Sequence, residues 1–225
     1  MPSNRTLQDL RNSLAARLGF GAQGVNTGPL VANLNAILHD CQYQLYWEHD
    51  WSYLRARVVD SIGASQTNVD FPANIEPTRI EYVSVEFSGV WSDPLERGVS
   101  PQMYTTSDSP GVPVRWDTNI SSGSLQIEFY PETDQEYNYA VCGQTLLGAF
   151  AKNSDESTID GDLIFQFALA AAKAHYGHAD AGMHLEAFSA LLERQKGRAR
   201  NKRVYRPGDD KGELFPKPLL VGRDI

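Results

Sequence analysis

The sequence predicts an α+β fold: a helical bundle from N- and C-terminal helices, an inserted antiparallel β-sandwich or barrel, and an extended C-terminal arm. Three observations predict it. Apolar residues recur at three- and four-residue steps before Trp51 and again after Asp160. Between Arg55 and Gln144, short runs of Val, Ile, Tyr and Phe alternate with polar residues and are divided by Gly, Pro, Asn and Ser. After Gly197 no period survives. The boundaries that follow are 1–54 with 151–198 for the bundle, 55–150 for the insert, and 199–225 for the arm. Bundle helices need partners, and the two terminal pairs supply them to each other.

The first helix runs from Thr6 to Leu18. Thr6 with Asp9 three residues on resembles a capping box; Leu7, Leu10, Leu14 and Leu18 form its stripe, and Gly19 and Gly21 stop it. The second occupies the stretch Gly28–Trp51. Pro29 suits its first turn, and Leu30, Leu34, Ile37, Leu38, Cys41 and Leu45 stack on one face. It ends in Tyr43, Tyr46, Trp47, Trp51 and Tyr53, and there the period changes. This aromatic knot is read as the joint between helices and strands, because such rings bury large areas.

Strands are expected at Arg55–Ile62, Val69–Phe71, Thr78–Phe87, Val90–Leu95, Val112–Thr118, Ser124–Tyr130 and Glu136–Gln144, with Arg97–Gly111 a long surface loop. Asp160 or Gly161 caps a third helix with Leu163, Ile164, Phe167, Ala168, Ala171 and Ala174 on one face. A break at Gly177–Gly182 precedes a fourth, capped by Asp180 and striped by Leu185, Phe188, Leu191 and Leu192.

Net charge is −8 with a pI near 5.1, so the chain as a whole does not bind nucleic acid through phosphates. No apolar run reaches the roughly 20 residues that span a bilayer, and MPSNRTLQDL has no apolar signal core, so nothing suggests export. Cys41 and Cys142 lie far apart without metal or redox spacing, and both are expected reduced and packed. No glycine-rich phosphate loop, nucleophile elbow or His-Glu-x-x-His motif occurs. His175, His178 and His184 are divided by the Gly177 break and lack a completing Cys or Glu, so no metal site is expected. Asp155, Glu156, Asp160 and Asp162 read as a solvated loop that caps the next helix. No catalytic residue, metal or cofactor is assigned, and an enzyme is not expected.

The stretch from Arg194 is basic, with Lys196, Arg198, Arg200, Lys202, Arg203 and Arg206 following. Its last 27 residues reach on the order of 90 Å when extended. The functional reading is an arm that orders on a partner. Tyr205, Phe215 and Leu219 are its anchors, and Arg200, Arg203 and Arg206 meet an acidic surface.

Several segments resemble the head-to-tail adaptor proteins of tailed bacteriophages. They are QLYWEHDWSYLR (Gln44–Arg55), VDFPANIEPTRIEYVSV (Val69–Val85), PVRWDTN (Pro113–Asn119), LQIEFYPETDQEYNYAV (Leu125–Val141) and the alanine-rich helix pair Leu163–Arg194. The resemblance implies a structural virion protein at the head–tail junction, made in the host cytoplasm, with no cofactor and no membrane. It implies self-association into a ring, twelve copies in related phages, beneath the portal protein. The ring extends the DNA channel without binding DNA specifically and offers docking to tail, nozzle or fibre proteins. The alternative is a β-sandwich recognition module for a glycan or protein surface; its mark would be an exposed aromatic platform, with Trp91 and Trp116 as candidates.

Overall fold

The computed structural model describes residues 3–20, 28–104, 109–121 and 123–200. It is an α+β structure with four helices and two four-stranded, mainly antiparallel sheets. Helix α1 (Leu7–Arg17) is N-capped by Thr6, whose side chain accepts from the Asp9 N–H at 3.2 Å. Gly19 follows it at φ 79°, a conformation that carries no penalty only for glycine. Helix α2 (Pro29–Glu48) starts on Pro29 and buries Leu34, Leu38, Cys41 and Leu45; Leu30 and Ile37 sit half-buried beside them. Helix α3 (Gly161–His175) is capped by Asp160, whose carboxylate accepts from Asp162 and Leu163.

Helix α3 packs against α1, α2 and α4 (Ala181–Arg200), so the centre of the helical layer is α3 and not the longer α2. One cluster of buried side chains runs through all four helices, from Leu7 and Leu10 through Leu34 and Leu38 to Leu163, Ala168 and Phe188.

Two expectations for the last helices are corrected. Leu185 is 51% exposed because α4 packs mainly on α3, where one line of contact suffices: Phe188 stacks on Phe167 at 4.4 Å and Leu191 and Leu192 flank it. Ala174 is exposed too, although Ala172 before it is buried and Tyr176 after it packs on the cluster. The carboxylate of Asp180 holds Lys173 and His184. Helix α4 continues through Gly197 to Arg200, beyond the end of the apolar period.

The first sheet has the order β1 (Arg55–Ile62), β8 (Tyr137–Thr145), β3 (Ile75–Phe87), β4 (Val90–Trp91). The second runs β2 (Asn68–Asp70), β7 (Ser124–Tyr130), β6 (Arg115–Ser121), β5 (Glu96–Arg97). Their inner faces share a second cluster that includes Ile62, Val83, Val85, Trp116, Ile127, Phe129, Tyr139 and Val141.

Strand β3 begins at Ile75, three residues before the expected start, because a bulge lets it pair past Pro77. The bulge needs Gly143 opposite: a Cβ there would lie 2.7 Å from the Arg79 carbonyl oxygen. The expected loop 97–111 contains Arg97 of β5 and a 3₁₀ turn at Pro101–Tyr104. Glu96 and Arg97 pair with β6 in parallel, so the strand set is not wholly antiparallel. Strand β6 begins at Arg115, not Val112, because Val112 packs on the inner cluster before the ladder starts.

An element that the periodicity does not announce closes the helical layer. Thr6 bridges Glu156, the Leu7 N–H donates to Asp155 O, and Ser157 donates to Arg5 O. The chain before α1 is thus clasped to the loop before α3. Buried Arg11 adds to the clasp by donating to Asn35 Oδ1 at 3.2 Å and Asn153 Oδ1 at 2.9 Å.

Candidate functional site

The aromatic knot is where helices meet strands. Trp51 is 2% exposed and donates its indole N–H to Leu45 O, and the Tyr46 hydroxyl reaches across to Thr145 O at 2.8 Å. Arg79 of β3 lies over the rings of Tyr46 and Trp47 at 4.7 and 5.5 Å. Its guanidinium donates to the carbonyls of Tyr46 and His49 and pairs with Asp50. These are carbonyls at the C-terminal end of α2, which lack intrahelical donors. A β-strand side chain therefore caps the helix. Sequence reasoning missed Arg79 because its partners lie 29 to 33 residues earlier in the chain.

The knot is only partly buried. Tyr43 and Trp47 stay 52% and 43% exposed and meet edge to face. With Ala32, Ala36 and His39 they form one exposed strip along α2, at helical spacing. Helix α4 carries a second bare face, with Met183, Ala187 and Ala190 exposed at helical spacing; exposed Leu185 lies off it, on the flank of Phe188. The two tryptophans weighed as a ligand platform do not form one: Trp116 is buried, and Trp91 lies under the Arg57 guanidinium at 4.2 Å.

Burial fixes the ionisation of several groups. It pushes the Cys41 thiol up to about 12, with Asp40 adding to the effect. It also pushes the Tyr53 hydroxyl to about 12, although the Asp160 N–H that donates to it works the other way. Cys41 and Cys142 are both free and buried. An open cleft of about 450 Å³ is lined by Glu86, Ser88, Gly89, Gln135, Glu136, Tyr137 and Asn138. Among the described residues no group of three potential metal ligands comes together, and no helix is long and apolar enough to cross a membrane.

Of the arm residues singled out, Arg200 is the last residue of α4; Arg203, Tyr205, Arg206, Phe215 and Leu219 lie outside the described residues. Lys196, at the start of the basic run, is engaged within the fold. It pairs with Glu48 of α2 at 2.7 Å and with Glu193, and the Glu48 bond holds its amine above the usual lysine range.

A family profile described as SU10 adaptor protein matches residues 5–209, from the clasp through all four helices and both sheets. The chain belongs to the SU10 adaptor protein family. A search of curated proteins finds no match. As an SU10 adaptor protein it is a structural component of the bacteriophage virion and works among other virion proteins. The bare strips on α2 and α4 are therefore surfaces on a protein whose work is to be joined to others.

Proposed function

We propose that this SU10 adaptor protein forms a head-to-tail adaptor ring of twelve copies, docked under the portal. The ring extends the DNA channel and gives tail and nozzle proteins their attachment. The match across residues 5–209 carries this reading. A cyclic ring needs two different faces on each copy. The strip with bulky Tyr43 and Trp47 on α2, and the face with small Ala187 and Ala190 on α4, are two such faces. The helical layer, 1–54 with 151–198, makes the ring; the strand region 55–150 carries the docking surfaces.

The arm, 199–225, grips the portal through Arg200, Arg203, Tyr205, Arg206, Phe215 and Leu219. Acidic side chains line the lumen, so a subunit of charge −8 lets the duplex pass without holding its phosphates. Mixing the protein with its cognate portal and imaging the product tests the reading. A closed ring under the portal is expected, and free monomers beside bare portals would overturn it. Trp47→Asp places a charge in the contact between copies and should abolish the ring while leaving the monomer folded.

A further inference from the structure

The outer strands of the two sheets are unequal. β2, β4 and β5 have three, two and two residues, whereas β1 has eight. Short outer strands are one way in which proteins blunt a sheet edge. β1 is not blunted in that way.

The register shows which of its groups face outward. The Thr145 N–H donates to Leu54 O, and Arg55 stands opposite Gln144. Hydrogen-bonded pairs alternate along an antiparallel ladder. Ala56, Val58 and Asp60 therefore turn their backbone groups to β8, while Arg55, Arg57, Val59 and Ser61 turn theirs away. Asp60 Oδ1 accepts the Ser61 N–H at 2.8 Å and closes that end. The N–H and C=O groups of Arg55, Arg57 and Val59 have no backbone partner beyond β1 among the described residues.

The side chains of these three residues show what a partner meets. Arg55 holds the Glu81 carboxylate of β3. Arg57 lies over Trp91 of β4, the other outer strand of the same sheet, so its guanidinium reaches back across the sheet and not out from the edge. Val59 is 49% exposed. In an added strand, the residue opposite Val59 shares its face of the sheet and meets it directly.

We infer that the edge of β1 from Arg55 to Val59 takes an added strand from a different virion protein, bound through the outward backbone groups and with an apolar residue opposite Val59. The inference rests on the adaptor reading, which supplies such neighbours. Among the described residues, a second copy of this chain offers no strand that fits the edge. Pairing β1 with β1 needs a two-fold axis between neighbours, which a one-way ring lacks, and the other three outer strands are too short to cover it.

Hydrogen exchange of the full chain, free and in purified virions, tests the inference. In the free protein the amides of Arg55, Arg57 and Val59 should exchange quickly, with those of Ala56 and Val58 slow. In virions the first three should slow by on the order of a hundredfold. Val59→Pro removes an outward N–H and no ladder bond, and it should cut tail joining at least about tenfold while the ring still forms on the portal. Val59→Asp, which leaves the backbone unaltered and sets a charge against the partner's apolar residue, should act in the same direction.

Unchanged exchange in virions overturns the proposal, as does protection already present in the free full chain. Normal tail joining by both variants overturns it too. Absence of a ring on the portal would instead overturn the adaptor reading, so the two failures are distinct.

Discussion

The helical cluster draws Leu10, Leu38 and Leu163 from segments far apart in the chain, and Arg11 meets Asn153 across 142 residues. The strand cluster is drawn from Ile62 to Val141, all from one continuous stretch. The first is sealed by a clasp between distant segments and keeps its loose surfaces on helix faces, at Trp47 and Ala187. The second keeps its loose surface on a backbone edge, at Arg57 and Val59. Side-chain faces suit contacts between identical copies, which need shape; an open edge suits an extended partner, which needs hydrogen bonds. The two regions differ in the kind of contact that each leaves open.

Three changes test how far the regions are independent. Leu38→Ala removes a wholly buried side chain from the helical cluster. It should cost about 2–5 kcal/mol in a denaturant titration followed by far-UV circular dichroism. A cost below about 1 kcal/mol would show that the helical layer is loosely packed. Arg79→Met keeps bulk at the joint but leaves the carbonyls of Tyr46 and His49 without their donor. A loss of about 1–3 kcal/mol is expected, together with faster amide exchange at the end of α2. Unfolding that splits into two transitions would show the joint to be the main coupling between the regions. Gly143→Ala forces a methyl against the Arg79 carbonyl and should cost a similar 1–3 kcal/mol or so, with its exchange changes confined to β3 and β8.

The smallest expected effect is that of acid on the clasp. The Asp155 carboxylate accepts from the N–H groups of Lys152 and Ala151, which hold its pKa below the usual carboxylate range. A group depressed on folding stabilises above its unfolded pKa, and the gain is lost as pH falls through the folded value. Amides near Leu7 and Ser157 should therefore lose protection only below about pH 4. Asp155→Asn should reproduce the loss at neutral pH and flatten that part of the profile.

Much of this architecture is legible in the residues. The bounds of β1 and β7 follow from alternation and flanking turn residues, and the start of α1 from Thr6 and Asp9, because each is governed by neighbours within a few positions. What the sequence hides is non-local. Glu96 and Arg97 are a strand only because β6 lies beside them; two residues have no period. Leu185 follows the helical spacing of a core position, yet nothing in that spacing states how many neighbours α4 has. The candidate site divides along the same line. Aromatic residues at the joint announce themselves, whereas the open edge of β1 depends on strand order, which no single strand encodes. Charge and ring placement single out the arm residues, which apart from Arg200 lie outside the described residues.

The clasp between residues 3–7 and 153–161 has a consequence for biosynthesis. As the polypeptide leaves the ribosome, α1 and α2 emerge with apolar stripes whose partner, α3, has not yet been translated. At usual elongation rates the delay is on the order of ten seconds. Within that interval the intervening strands complete their own sheets. The nascent chain thus carries a finished β lobe beside two uncovered helices, and that is when a cellular chaperone has most to shield.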